Sequence, residues 1–322
     1  MFAQQDSLVL KNGNQIVGEV KSLKQAVVSM KTSYSDSDFK IEWDKITSIH
    51  TQTEFLITLE SGLRYNATLK SKNEKEVFLL SQTDTLATVN LNDIVFFKEV
   101  KSNFLSNLDA SVSVGFNYTK AKDLSQLSVR SNLGYRAKYW ELSANYNDVR
   151  SSQNETESVK RIDASIGYKY YLKRKWFLLA ETSWLSNTEQ NLNLRTLGKL
   201  GAGRYLIQTN STYWGLQLGV SYNNENFEVE GLEISNNSAE AFLGTELNLY
   251  NIGDLSLLTR AAAYPSLTES GRWRLDYNLD VKYDLPLNLF VNLGITLNYD
   301  NQPAENASET DYIFQTTVGW DF

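Results

Sequence analysis

The 322-residue chain has no cysteine, one histidine and 3 prolines. Without cysteine there is no disulfide framework, thiolate metal site, iron-sulfur ligation or cysteine nucleophile. A single histidine also excludes catalysis that needs two. Basic residues are few and scattered, with 31 Lys plus Arg against 38 Asp plus Glu and a net charge of -7. No basic stripe is left to meet a phosphate backbone, so nucleic acid is not an expected partner. Long apolar runs are missing too: mean hydropathy is -0.37, and no stretch of roughly 18 apolar residues exists from which to draw a transmembrane helix. The opening Met1-Phe2-Ala3-Gln4-Gln5-Asp6 lacks the basic and apolar regions of an export signal, as expected either of a chain from which the signal has been removed or of a cytoplasmic protein. Aromatic residues, by contrast, are plentiful, with 18 Tyr, 14 Phe and 7 Trp. A single core rarely grows past about 250 to 300 residues, so two domains are expected.

Residues 6 to about 100 read as a β-rich unit that occurs twice, over about 6–50 and 54–98. The first copy runs Leu8-Val9-Leu10, Asn12-Gly13, Gly18-Glu19-Val20, then Ile41-Glu42-Trp43-Asp44-Lys45-Ile46. The second runs Leu56-Ile57-Thr58-Leu59, Ser61-Gly62, Ala67-Thr68-Leu69, then Val89-Asn90-Leu91-Asn92-Asp93-Ile94. Glycine follows glycine and isoleucine follows isoleucine at nearly the same interval, so register holds across the unit. Asn12-Gly13 between extended runs signals a tight hairpin. Two short barrel-like or sandwich units packed together are expected.

From about Leu108 the text changes to period-2 alternation. Leu287, Leu289, Val291, Leu293, Ile295, Leu297 and Tyr299 alternate with Asn288, Asn292, Gly294, Thr296, Asn298 and Asp300. Such runs last about ten to thirteen residues, twice the usual soluble strand, and tilted by about 45° that length spans a bilayer. Twelve strands are expected, starting near Leu108, Ser125, Tyr139, Val159, Lys175, Leu192, Thr212, Ser238, Asp254, Arg272, Leu287 and Thr310. Their connections alternate between tight turns (Ala137-Lys138, Lys173-Arg174, Leu285-Pro286) and longer polar loops, the longest being Asn223 to Asn237. The expected fold is therefore all-β: a twelve-stranded antiparallel transmembrane barrel over 104–322, preceded by a duplicated small β-domain over 1–103. An even strand number and short turns on one side match outer-membrane barrels. That places residues 1–103 in the periplasm of a Gram-negative bacterium, with outer-membrane lipid and lipopolysaccharide as surroundings. Outward aromatics such as Tyr135, Trp140, Tyr168, Trp214 and Tyr222 cluster near strand ends as interfacial girdles do.

The last segment carries Tyr312, Phe314, Val318, Trp320 and the terminal Phe322 on one parity. It resembles the carboxy-terminal assembly signal by which the barrel assembly machinery receives its substrates. With the NG-x4-GEV wording at Asn12 to Val20 and the IEWDKI wording at Ile41 to Ile46, the chain resembles the uncharacterised salt-induced outer-membrane protein family, a domain of unknown function. The resemblance covers most of the chain and implies an outer-membrane protein linked by name to salt or acid stress. It brings no established activity and no catalytic residues.

The inward parity is charged in both signs: Arg130, Arg136, Glu141, Asp163, Lys169, Glu181, Arg195, Lys199, Glu240, Glu246, Arg260, Arg274, Asp276, Asp280 and Lys282. Either these groups line a water-filled channel for small charged solutes, or they pair with one another and fill it together with Tyr171, Phe177, Phe242 and Phe290. Inward glycines such as Gly201, Gly203, Gly219 and Gly319 are compatible with both, as space or as close packing. The one histidine, His50, lies in the amino-terminal part, so a barrel hydrolase or protease using histidine is excluded and no enzyme is expected. Glu225, Glu228, Glu230 and Glu233 read as a solvated acidic loop, with no metal and no cofactor implied. Residues 1–103 hold 12 Lys plus Arg and 13 Asp plus Glu, leaving 19 and 25 for the remainder. The near-neutral first part suits docking to a periplasmic protein or peptidoglycan, or gating of the barrel mouth. A passive channel in envelope stress is the expected role, with a non-conducting accessory barrel as the alternative.

Overall fold

The computed structural model describes residues 6–82, 84–101, 104, 107–120, 124–153, 158–188, 192–229, 232–286, 289–303 and 309–320. All regular elements among them are strands and short 3-10 turns. In the amino-terminal part the first half holds β1 (Asp6–Leu10), β2 (Gln15–Lys24), β3 (Val27–Lys31), β4 (Phe39–Glu42) and β5 (Ile46–His50). The second half holds β6 (Phe55–Leu59), β7 (Arg64–Ser71), β8 (Glu76–Leu80), β9 (Thr85–Asn90) and β10 (Ile94–Glu99). A 3-10 turn precedes the last strand of each half, at Trp43–Lys45 and at Leu91–Asp93. Each half turns its first hairpin on a glycine with φ of 84°, Gly13 and Gly62, a backbone conformation that costs glycine nothing.

The pairings of one half map onto those of the other. β1 pairs β2 and β5, as β6 pairs β7 and β10. Between halves, β2 pairs β10 and β7 pairs β5, so each half completes the other's sheet. Two small units packed together were expected; the halves go further and share one core, because this exchange leaves neither with a closed interior of its own. Leu8, Val20 and Ile49 meet Phe55, Leu69 and Phe97 in that core, where each fully buried side chain stabilises by about 1.5 to 3 kcal/mol. Trp43 crosses between the halves: its Nε1 donates to the Leu91 carbonyl at 3.2 Å, and its ring meets Phe97 edge-on at 5.7 Å.

The remaining strands are β11 (Leu108–Thr119), β12 (Leu124–Arg136), β13 (Trp140–Ser152), β14 (Val159–Tyr171), β15 (Trp176–Asn187) and β16 (Leu192–Gln208), then β17 (Thr212–Val229), β18 (Leu232–Ile252), β19 (Leu255–Pro265), β20 (Trp273–Leu285), β21 (Leu289–Asp300) and β22 (Thr310–Trp320). They form one twelve-stranded antiparallel sheet in sequence order. One stretch departs from expectation. The segment from Asn223 to Asn237 is not a polar loop, because the ladder of β17 and β18 runs through it to Val229 opposite Leu232. Alternation persists there in polar residues, with Asn224 Nδ2 donating to Asn237 Oδ1 at 2.6 Å across the ladder. Side-chain polarity marks where apolar surroundings end and does not mark where the ladder ends. These two strands thereby reach 18 and 21 residues, well past the expected ten to thirteen.

Candidate functional site

The two parities of the twelve-stranded sheet have opposite chemistry. On one, Leu178, Leu200, Leu218 and Leu243 are 48 to 63% exposed, a continuous apolar belt of a kind that soluble monomers rarely carry. Rings stack along its short-turn edge: Tyr135 lies 4.6 Å from Phe104 and 5.0 Å from Trp140, which is followed by Tyr168 at 6.1 Å. At the other edge Trp273 meets Tyr299 at 4.9 Å. Trp214 and Tyr222 on β17 mark the two edges, roughly 27 Å apart along the strand at about 3.4 Å per residue.

The other parity faces a cavity of about 520 Å³, lined by residues of β12 to β16 together with Arg274 and Asp276 of β20 and Asn298 of β21. Strands far apart in the sheet order share it, so the sheet curls back on itself. Direct contacts across the curl agree: Lys199 Nζ on β16 lies 3.1 Å from the Tyr264 hydroxyl on β19. Among the described residues β11 and β22 make no ladder with one another.

The charged residues expected on the inner parity come together mostly as pairs. Arg136 meets Glu141 at 2.7 Å, Lys199 meets Glu181 at 3.3 Å and Arg260 meets Glu246 at 3.2 Å. Arg274 grips Glu240 with two parallel bonds, Nε to Oε1 at 2.9 Å and Nη2 to Oε2 at 2.7 Å, and this carboxylate is fully buried. Arg195 meets Glu225 at 2.7 Å. The sequence reading missed that pair because it assigned Glu225 to an outer loop. Asp163 is held by Arg161 at 3.1 Å, Lys282 by Asp284 at 3.0 Å, and Lys169 rests on the Phe177 ring at 4.9 Å. Asp280 lies beside Gly294 of β21. Arg130 and Asp276 are in no ion pair within 4 Å among the described residues: Arg130 donates to the Asn147 side chain at 3.2 Å, and Asp276 lies in the field of Arg274, Lys199 and Arg195 without a hydrogen bond to them.

At the short-turn end the interior is filled. The Tyr171 hydroxyl donates to Glu141 Oε2 at 2.6 Å, Phe177 stacks on Tyr205 at 4.7 Å, and Tyr213 meets Tyr205 at a tilt at 4.8 Å. The inner glycines serve close packing, since a Cβ on Gly203 would strike the Phe177 ring and one on Gly201 or Gly219 the Phe242 ring. Gly319 stands to Phe290 in the same way.

Over this filled end sits the amino-terminal domain. Arg64 places its guanidinium carbon 3.4 Å from the Tyr171 ring centre, and Arg136 lies 4.6 Å from the Phe96 ring. Asn210, in the turn before β17, donates to the carbonyls of Ile94 and Asn92 at 2.8 and 3.2 Å. Lys98 and Lys24 reach Asp109 at 2.9 and 3.6 Å. What remains open there is about 10 Å³, room for about one water. Arg64 Nη1, Thr58 Oγ1 and Gln208 Oε1 are buried around it without a hydrogen-bond partner among the described residues. Sequence reading did not single out Arg64. Its one signal was the departure from the repeat, where the first copy has Gln15.

Tyr312, Phe314 and Val318 of the expected assembly signal project from β22 with 60 to 71% exposure, Trp320 ends that strand, and Phe322 lies outside the described residues. Glu228 and Glu233 face each other in the β17–β18 ladder, and Glu230 lies outside the described residues. His50 Nε2 is 3.0 Å from the Gln52 amide nitrogen in the amino-terminal domain, off the inner face. In that domain burial raises the Asp6 carboxyl above the usual range, although it accepts from the Gln52 and Val20 amides at 2.8 Å each. Glu99 is raised likewise by burial.

Taken together these features define an all-β protein whose curled antiparallel sheet is apolar outside, charged inside and capped at one end. The chain belongs to the family described as protein of unknown function, DUF481, whose model matches residues 112–322. None of the curated proteins matches it in sequence. A solved porin structure, refined at 1.8 Å resolution, is similar at 10% identity over 99% of this chain and 98% of its own, with a TM-score of 0.32.

Proposed function

We propose that this chain is an outer-membrane β-barrel of a Gram-negative bacterium, closed by pairing of β11 with β22. In this reading it offers a passive pathway for small solutes or ions in the envelope stress response. Residues 1–103 lie in the periplasm and gate the pathway from below. The exposed apolar belt with its stacked aromatic edge supports insertion, since hydrocarbon tolerates only strands whose backbone groups are all paired. The single observation that carries the pathway is the 520 Å³ polar cavity inside the curl. The gate rests on Arg64, Phe96 and the Asn210 bonds over the filled short-turn end. The surroundings are lipid and lipopolysaccharide, and the assembly machinery receives the Phe322 terminus. No enzymatic step is part of this reading.

A second reading, a non-conducting accessory barrel whose periplasmic domain holds a protein or peptidoglycan, is favoured by one observation. The Arg136, Glu141 and Tyr171 layer is internally satisfied and leaves no bore of its own.

Planar-bilayer conductance of the full chain decides between them. The gated pathway predicts rare or no steps for the unaltered protein and steady ohmic steps for an Arg64→Ala, Phe96→Ala double variant. Silence from both, with the folded forms migrating faster than heated ones on a gel, overturns it in favour of the accessory barrel.

A further inference from the structure

The interior cavity has two walls of opposite charge. On one, Arg130 and Arg161 stand against Asp163, leaving one net positive charge, and among the described residues Arg130 has only the Asn147 amide as a partner. On the other, Arg195, Lys199 and Arg274 are matched by Glu225, Glu181 and Glu240, each pair within 3.3 Å. Asp276 is then left over and gives that wall one net negative charge. Every other charge at the cavity is held by a partner. The leftover cation sits on β12 and the leftover anion on β20, and both line the same space.

We infer that this cavity binds small zwitterionic solutes, with a carboxylate taken by Arg130 and an ammonium by Asp276. The inference rests on the proposed solute pathway and names its substrate class. Asparagines and serines fill the wall between the two charges: Asn132, Asn145, Ser165 and Ser183. These groups hydrogen-bond a solute without adding charge. A singly charged molecule satisfies one wall only, whereas a zwitterion makes a charge-assisted hydrogen bond at both. The volume, about 520 Å³, falls within the range of small-molecule sites, about 300 to 1,000 Å³. The paired ions around the site fix its geometry, because Arg274 and Arg195 are already committed to carboxylates and do not swing towards a passing anion.

Equilibrium dialysis of the full chain, refolded in detergent, tests this with labelled glycine, 4-aminobutanoate and 6-aminohexanoate beside butanoate and butylammonium. At least one of the three zwitterions is expected to bind about tenfold or more tightly than both singly charged probes. Arg130→Gln and Asp276→Asn should each reduce that preference about tenfold, with folding checked by the heat-dependent gel shift. Should Asp276→Asn misfold, Arg130→Gln alone still carries the test. Equal binding of butanoate, binding indifferent to Arg130→Gln, or no binding by any probe overturns the inference. Dialysis requires no conduction, so a silent bilayer with preserved zwitterion binding refutes the pathway and leaves the site standing.

Discussion

Arg64 of the amino-terminal domain lies face-on to Tyr171 of the curled sheet, its guanidinium carbon 3.4 Å from the ring centre. A desolvated cation–π contact of this kind stabilises by about 2 kcal/mol. The same arginine has a buried Nη1 without a hydrogen bond among the described residues, which costs about 1 to 3 kcal/mol. Gain and cost are of similar size, so the latch is weak by composition.

Tyr171→Leu should therefore loosen the domain without unfolding it. Hydrogen exchange at residues 60–64 and 91–94, which face the sheet, is expected to rise at least about tenfold, while exchange at Trp43 and Phe97 in the shared core stays unchanged. Equal loosening of both regions would mean that domain docking and domain folding are one event.

Gly203→Val places a side chain where the Phe177 ring lies. Overpacking of this kind costs about 1 to 3 kcal/mol, so the urea midpoint of the folded form should fall. The double variant with Phe177→Ala should recover part of the loss. Absence of recovery would show that the neighbouring backbone, and not the ring, sets the limit.

Asp6 binds its proton more tightly folded than unfolded, since burial disfavours its charge. Its stabilising contribution is complete below the unfolded carboxyl value near about 4 and is lost as pH rises through the raised folded value. Asp6→Asn removes the titration and keeps one acceptor oxygen, so one of the two bonds from the Val20 and Gln52 amides is lost with it. Hydrogen exchange over residues 6–100 should then show a flatter pH dependence above the unfolded carboxyl value. An unchanged slope would assign the dependence to Glu99.

The extended β17–β18 ladder predicts close neighbours where a loop would have none. Asn224→Cys with Asn237→Cys should oxidise readily to a disulfide, in a chain that has no other cysteine. Asn224→Cys with Ile234→Cys, displaced along the ladder and on the other parity, should not. Comparable yields from the two pairs would return this segment to a flexible loop.

The legible part of the fold was whatever period-2 alternation encodes. Each strand of the large sheet starts within about two residues of its expectation except β18, because a strand's faces alternate strictly. β18 failed because Asn236 and Ser235 look like loop residues although their backbone is paired. Partner choice was not legible either. Nothing local says that Glu225 meets Arg195, thirty positions away, or that Arg64 meets Tyr171, since such pairs depend on curl and docking. The two tight hairpins at Gly13 and Gly62 were visible, yet the exchange of β2 and β7 between halves was not. Repeats in a sequence record likeness between units and are silent on whether they share an interior.

That likeness has a consequence at the two hairpin glycines. A methyl group on Gly62 would press against Lys175 of the large sheet, whereas one on Gly13 would meet nothing within 4 Å. Of two matching handles, one grips the large sheet and its twin, beside Asn12, stays bare to solvent. Substitutions at the bare twin can accumulate without disturbing the grip, so this is the half in which a lineage is free to change what the domain meets.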